Sequence, residues 1–186
     1  MADPLDEVEK ELNEATRRAW TLVQSTDGRM FTVRPTPLSW SAAECLAHLS
    51  ISSEMFLPVL RDAISKAKNG RRRTPKMDLL GRVLTWFLEP PIRKRVKTPA
   101  PFVPKSTRAK ADAFGEFAAL QEKLIDLLRE AREADLSVKI VSPFDKRVRY
   151  NLLSAFRIVA AHERRHLWQA EQAVAELRRV HSAASR

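Results

Sequence analysis

The residues best suited to chemistry are histidines, of which the chain has four. His162 and His166 are four positions apart, so on an α-helix they lie about 40° apart on one face. Ile158 and Val159 share that face, and an imidazole among apolar side chains carries a desolvation cost unless something binds it. Neutral imidazoles at this spacing are a common chelating pair for a divalent metal ion.

A third histidine, His48, lies on another helical face, together with Glu44, Ser52 and Val59. If the two faces meet in a bundle core, the three imidazoles present three nitrogens and leave a coordination position open. A lone helical histidine is more often a hydrogen-bonded core residue than a ligand, and this alternative is favoured for His48 taken alone. It also stays open for His162 and His166, whose more specific spacing makes the two interpretations about equal. His181 lies in a polar C-terminal stretch and is predicted to be solvated.

Residues 162–166 read His-Glu-Arg-Arg-His, which matches H-E-x-x-H, the zinc-protease motif in which the glutamate is the general base. The match is weak because both intervening residues are arginines. Gln169 and Gln172 stand where the longer form of the motif has a glycine and a third histidine. Since no edge strand that could bind an extended peptide is predicted either, a protease is disfavoured.

Further residues are candidates for roles beside such a metal. Glu44, one turn before the third histidine, is predicted as a general base, although it can equally form a capping box with Ser41. Glu163 projects about 100° from the histidine before it and ranks below Glu44. Gln169 can orient a ligand, or it can be a buried amide bonded to the backbone. Arg165 can bind an anionic substrate or cofactor, or it can pair with an acid at the surface.

The pattern of apolar residues predicts four long amphipathic helices and no strand pattern of comparable length. The helices begin near residues 3, 41, 106 and 151 and end near residues 27, 69, 131 and 177. A short helix is expected before Pro90-Pro91, and the proline-rich stretch from there to residue 104 is expected to be extended. Residues 136–150 are expected to be irregular, with a little extended structure.

The sequence therefore predicts an all-α fold, a four-helix bundle with one long, proline-rich basic crossover connector that contains a short extra helix. A chain of 186 residues is expected to form a single domain, here residues 1–186. Residues 181–186 are expected to be a flexible tail.

The formal net charge of +10 is located in one segment. Residues 71–110, which we call the basic connector, contain 12 basic and two acidic side chains, whereas the charges of the remaining residues sum to zero. Nucleic acid is disfavoured as a partner because no recognised binding motif or aromatic stacking platform accompanies these charges. Two alternatives stay open for the basic connector. It binds an anionic small molecule, or it is a solvated strap without a partner.

Composition narrows the protein class further. The single cysteine, Cys45, excludes a disulfide framework and fits a reducing compartment. No uncharged stretch reaches the ~20 residues of a membrane span, and the acidic start is unlike a signal peptide. We therefore expect a cytoplasmic protein with no membrane partner.

Several segments resemble the DinB-like (YfiT-like) family. Residues 40–49, Trp-Ser-Ala-Ala-Glu-Cys-Leu-Ala-His-Leu, are similar to the start of that family's second helix. Residues 162–169, His-Glu-Arg-Arg-His-Leu-Trp-Gln, are similar to its fourth-helix H-x-x-x-H element, and residues 89–104 resemble the connector of one branch. Ser142-Pro-Phe and Tyr150 also fit.

The resemblance implies a four-helix bundle that holds one divalent metal, Zn or Ni in type, by His48, His162 and His166. The family includes bacillithiol- and mycothiol-dependent transferases and isomerases, metal-dependent hydrolases and many members without a known activity, and homodimers are common in it. The chain departs from the family's pattern in its strongly basic connector. The family's metal motif does not explain this charge.

Together, residues and resemblance predict a metal-dependent enzyme that activates a thiol or water at a three-histidine site, a thiol S-transferase or a hydrolase. Its partners would be a small-molecule substrate, anionic in one alternative, and a low-molecular-weight thiol as cofactor. The alternative is a non-catalytic helical-bundle binding protein with an unused or vestigial metal site.

Overall fold

The computed structural model describes residues 3–68, 73, 75–91, 97–105 and 109–184. Its elements, in chain order, are α1 (Pro4–Ser25), α2 (Gly28–Thr32), α3 (Ala42–Ala67), α4 (Leu79–Leu88), α5 (Lys110–Glu130), β1 (Lys139–Val141), β2 (Arg149–Asn151) and α6 (Leu152–Ala184). Single turns of 3-10 helix span Ala100–Phe102 and Ala131–Glu133.

The four long helices form the predicted bundle. Helix α3 packs against α5 and α6, and α1 packs against the same two helices. The all-α class is confirmed, and the strands form only a short antiparallel hairpin in which Ile140 pairs with Tyr150. All of the hairpin except its last residue, Asn151, lies within the stretch where the sequence predicts a little extended structure.

Local capping explains where two of these helices begin. The side chain of Asp3 accepts a hydrogen bond of 3.0 Å from the backbone N–H of Leu5, ahead of Pro4. At the start of α3, the N–H of Glu44 donates to Ser41 Oγ over 3.2 Å and the N–H of Ser41 donates to Glu44 Oε2 over 2.9 Å. The predicted capping box is therefore present.

Some predicted boundaries differ from the structure. Asp27 is predicted only to end the first helix. Its carboxylate accepts hydrogen bonds from the N–H groups of Arg29 and Met30 and so also begins a further short helix, α2. Helix α6 continues to Ala184, so residues 181–184 of the predicted tail are helical, with exposed side chains. The predicted stop at Asn69-Gly70 and the predicted start near Ser106 lie outside the described residues.

The apolar core consists of two clusters stacked along the bundle axis. On α3, one cluster ends at Leu49 and the other begins at Phe56. On α6, one ends at Ala160 and the other begins at Leu167. Between them lies a layer of buried polar side chains, which we call the polar layer: His48, Ser52, Gln121, His162, Glu163 and His166.

Helix α4, the predicted extra helix, packs on α6 at close range. A β-carbon added at Gly81 would lie 2.3 Å from Ser154 Oγ, so only glycine allows this approach. Glu89, just after α4, forms an ion pair with Arg164 of α6. These contacts fix α4 to the bundle at both ends.

Asp78 connects α4 to the hairpin. Its carboxylate accepts hydrogen bonds from the N–H of Gly81 (2.8 Å), the N–H of Asn151 (2.7 Å) and the Nζ of Lys139 (2.7 Å). Burial alone would raise the pKa of Asp78, but Lys139 and the two N–H donors hold it below its ordinary value.

The rest of the basic connector is only partly described. Residues 71, 72, 74 and 92–96, which carry several of its basic side chains, lie outside the described residues. Residues 97–104 are expected to be extended, but they include a single turn of 3-10 helix, Ala100–Phe102. The side chain of Phe102 in this turn is buried in the protein. Among the described residues, no helix has the length and apolar character needed to cross a membrane.

We expect Asp78→Ala to lower the free energy of unfolding by about 2–4 kcal/mol, because it removes the α4 cap and a charged hydrogen-bond acceptor. A lowered pKa in the folded state means that this contribution is present above the pKa of an unfolded aspartate and is lost as the pH falls through the folded value. The difference from wild type should therefore shrink below about pH 4.

Urea unfolding at several pH values measures this difference. The control is Asp126→Ala, which alters an exposed aspartate of α5 and should change stability by less than ~0.5 kcal/mol. Equal losses in both variants would contradict the role of Asp78.

Candidate metal centre

Three histidines meet inside the bundle at the polar layer. His48 comes from α3, and His162 and His166 come from α6. Their ring centroids are 5.0 Å apart for His48 and His162, 4.3 Å for His48 and His166, and 4.6 Å for His162 and His166. One ligand nitrogen from each lies within 4.8 Å of the other two. The packing of α3 on α6 thus joins the two faces, as the sequence predicts.

The connector fixes the orientation of His48. Its Nδ1 lies 2.8 Å from the backbone carbonyl of Phe102. Because a carbonyl oxygen only accepts, Nδ1 must carry the proton and donate it, which leaves the lone pair on Nε2. That Nε2 lies within hydrogen-bond distance of His162 Nε2, at 3.1 Å.

The surroundings keep these imidazoles neutral. Burial lowers the pKa of His48, and it lowers the pKa of His162 and His166 to well below the ordinary value, with further contributions from the neighbouring imidazoles and from Arg165. Neutral imidazole is the form that binds a metal ion. The cluster therefore offers lone pairs at neutral pH.

The donor set fits a divalent ion. Two nitrogens that each lie ~2.0–2.1 Å from one zinc ion are themselves separated by roughly 3 Å, which matches the spacing of 3.1 Å between His48 Nε2 and His162 Nε2. His166 Nδ1 is buried without a hydrogen-bond partner among the described residues. An all-imidazole set suits zinc, nickel, copper or iron.

Aromatic rings enclose the three histidines. The ring centroid of Trp40 lies 4.9 Å from that of His48 and 5.9 Å from that of His166. The Phe144 centroid lies 5.6 Å from that of His162. These rings limit the access of water to the cluster.

The three histidines line a cavity of 1210 Å³. One wall comes from α4, through Leu84, Phe87 and Leu88. The hairpin contributes a second wall, through Phe144, Val148 and Tyr150. A cavity of this size and largely apolar lining is large enough for a small organic ligand.

Arg165 and Gln169 also line this cavity, as their predicted roles require. Arg165 is buried, and its Nη1 donates a hydrogen bond of 3.3 Å to the backbone carbonyl of Phe87. The guanidinium carbon of Arg165 lies 5.7 Å from the centroid of the Phe87 ring. Gln169 lies beside His166, where its side chain is the one influence that raises the pKa of that ring.

Glu44 is close in sequence but occupied. Besides the N–H of Ser41, its carboxylate binds the Arg34 guanidinium, with 2.8 Å from Nε to Oε2. Burial would raise the pKa of Glu44, but Arg34 and Ser41 hold it below the ordinary value. Glu44 is not among the described residues that line the cavity. These contacts favour the capping role over that of a general base.

Glu163 does not take the role that the protease motif gives to its glutamate. Gln121 of α5 donates to Glu163 Oε2 over 2.7 Å inside the polar layer, and burial raises the pKa of Glu163 to about 8. This carboxyl group is not among the described residues that line the cavity. Cys45 is also buried, and burial raises the pKa of its thiol. Among the described residues, Cys45 is not part of the histidine cluster.

Sequence reasoning did not assign a role at this site to three of its contributors. Phe102 acts through its backbone carbonyl, which no sequence pattern marks. Arg34 lies ten residues before Glu44, outside any helical spacing. Phe144 belongs to an irregular segment, so its position depends on the fold of the hairpin.

The fold and the site together define a helical-bundle protein with a buried, all-histidine candidate metal centre. The chain belongs to the DinB superfamily, whose sequence model matches residues 11–170 and so includes all three histidines. The comparison with curated proteins found no match, and neither did the comparison with solved structures.

We expect zinc or nickel ions to raise the melting temperature of metal-free protein. An ion that binds only the folded state at 100–1000 times its dissociation constant stabilises that state by about 3–4 kcal/mol. Scanning calorimetry of protein without a polyhistidine tag, with and without added metal, measures the shift.

His166→Ala should abolish the shift, whereas His181→Ala, at an exposed histidine of the same helix, should retain it. A shift that survives His166→Ala, or none in the wild type, would contradict the assignment of the centre.

Proposed function

We propose that the protein is a metal-dependent enzyme that activates a thiol or a water molecule at His48, His162 and His166. The observation that carries this proposal is the convergence of three neutral imidazoles on the wall of a cavity large enough for a substrate. A site that only stabilised the fold would be expected to be closed by a fourth protein ligand. Among the described residues, the cluster contains three.

The metal would supply Lewis acidity, which lowers the pKa of a thiol or a water molecule bound to it. The chain's own residues would do the rest. The Phe102 carbonyl holds His48 in the tautomer that directs Nε2 inward. Trp40 and Phe144 restrict water, which strengthens electrostatic interactions in the site.

The cavity lining indicates the class of substrate. Its walls are mainly apolar, and its charged lining residues, among those that the structure describes, are two basic and two acidic side chains. The acidic ones are paired, Asp145 with Arg147 and Glu176 with Arg179, whereas Arg165 and Lys97 add positive charge. We infer a small substrate or thiol with an apolar part and an anionic group that Arg165 binds. Gln169, beside His166, is the candidate to orient it.

The second candidate is a binding protein that does not catalyse a reaction. The observation that favours it is the occupation of Glu44 by Arg34 and Ser41, which leaves the predicted general base engaged. A thiol activated by the metal alone would not need that base, so this observation weakens the case for a transferase less than the case for a hydrolase.

We also propose that the protein is a cytoplasmic homodimer.

Metal analysis of protein purified without a polyhistidine tag separates the two candidates first. We expect close to one equivalent of zinc or nickel in the wild type and in His181→Ala, and almost none in His162→Ala. A metal content near zero in the wild type, unchanged by His162→Ala, would contradict the metalloenzyme.

Turnover is tested with a panel of low-molecular-weight thiols and a chlorinated aromatic electrophile. In the expected reaction a sulfur–carbon bond forms and the carbon–chlorine bond breaks, with release of chloride and the thiol proton. We expect metal-dependent turnover that His162→Ala lowers at least ~100-fold. If no thiol supports turnover, the transferase is excluded.

Arg165→Met tests the inferred anionic substrate. With an active thiol identified, this variant should raise KM roughly tenfold for electrophiles or thiols that carry a carboxylate, and it should leave neutral analogues nearly unchanged. An equal effect on both would show that Arg165 acts only through its contacts with Phe87.

A further inference from the structure

Helix α4 is apolar on the side that faces away from the bundle. Leu79, Val83 and Trp86 fall within about 60° of one another around the helix axis. They are 75%, 51% and 59% exposed, respectively. We call these three residues the outer face of α4. Leu80, at its edge, is 40% exposed.

This exposure is concentrated rather than scattered. Ten large hydrophobic side chains are exposed among the described residues, and four of them lie on this ten-residue helix. Single exposed apolar residues are normal on protein surfaces, whereas a contiguous group marks an interaction surface. The outer face of α4 is therefore a candidate docking surface.

Positive charge accompanies the outer face. Arg82 of α4 and Lys76, just before it, are exposed. The two acidic residues of the basic connector are already engaged, Asp78 by Lys139 and Glu89 by Arg164. By sequence, the 40 residues that include α4 carry the whole net charge of the chain. The partner of this surface should therefore be anionic and also accept apolar side chains.

We propose that α4 binds peripherally to an anionic phospholipid surface, with Leu79, Val83 and Trp86 inserted at the level of the headgroups. Amphipathic helices that combine a tryptophan and aliphatic residues with neighbouring Lys and Arg bind membranes in this way. Basic side chains near an anionic bilayer each contribute about fivefold in affinity. The sequence-based expectation of no membrane partner rests on the lack of a membrane-spanning stretch, which peripheral binding does not need.

Two other occupants fit less well. A second copy would place one basic connector against another, and a face about 15 Å long is too small for the ~800 Å² per partner of a standard interface. Nucleic acid would satisfy the charges, but Leu79 and Val83 would gain nothing from phosphates.

Co-sedimentation of the full chain with vesicles tests the proposal. One set of vesicles contains phosphatidylcholine alone, and the other contains phosphatidylcholine with phosphatidylserine. We expect binding to the second set only, weakened by salt. The double variant Leu79→Ser with Val83→Ser should lower the apparent lipid affinity roughly tenfold or more, and so should Arg82→Glu.

The matched control is Val180→Ser, which changes an exposed apolar residue near the end of α6 and should bind as the wild type does. Unchanged circular dichroism and melting temperature show that each variant folds. All of these substitutions lie outside the metal centre, so the result does not depend on the proposed enzyme activity.

Three outcomes would overturn the proposal. The first is no binding to phosphatidylserine vesicles at low salt. The second is binding that the double variant leaves unchanged, which would reduce it to unspecific charge attraction. In the third, the double variant alters the oligomeric state in gel filtration, or impairs binding to duplex DNA, without affecting lipid binding. That result would assign the face to a second copy or to nucleic acid.

Discussion

The polar layer between the two apolar clusters is the constraint on which the rest of the molecule depends. Three imidazoles, a glutamate and a glutamine occupy positions where apolar side chains would join the clusters into one core. Burying such groups without full hydrogen bonding is costly, and His166 Nδ1, Glu163 Oε1 and Gln121 Oε1 are buried without partners among the described residues. A bound metal ion would offset part of this cost, because it would accept a lone pair from each imidazole in place of the missing hydrogen bonds.

The basic connector is part of the candidate metal centre rather than only a link between α3 and α5. Its Phe102 carbonyl selects the tautomer of His48, and α4 forms one wall of the cavity. Asp78 and the Glu89–Arg164 ion pair hold α4 in that position. Helix α4, a described part of the segment that carries the net charge of the chain, is thus fixed beside the candidate metal centre. If α4 lies at a lipid surface, its inner side still faces the cavity.

Local sequence patterns predict most of the helices, whereas the contacts between residues distant in sequence depend on how these helices pack. The spacing of His162 and His166 and the Ser41–Glu44 capping box are properties of single helices, so the sequence alone predicts them. That His48 reaches the pair depends on how α3 packs on α6. The ion pair between Arg34 and Glu44 also depends on packing, because the chain before α3 must fold back on the start of that helix.

Other differences have local causes that the sequence leaves ambiguous. An aspartate followed by glycine predicts a helix end, but Asp27 also caps the next helix. The polar residues after Leu177 predict a tail, yet alanine and arginine favour helix there and α6 continues to Ala184. Exposed Leu79 and Val83 resemble core residues in sequence, because an apolar pattern does not say which face of a helix is buried.

The ¹⁵N resonances of the histidine side chains show whether three specific imidazoles bind one divalent ion. On addition of one equivalent of zinc to metal-free protein, we expect His48, His162 and His166 each to acquire one metal-bound nitrogen, with Nδ1 of His48 still protonated, while His181 does not change. Resonances of the three buried histidines that zinc leaves unmoved, or a change confined to His181, would contradict it.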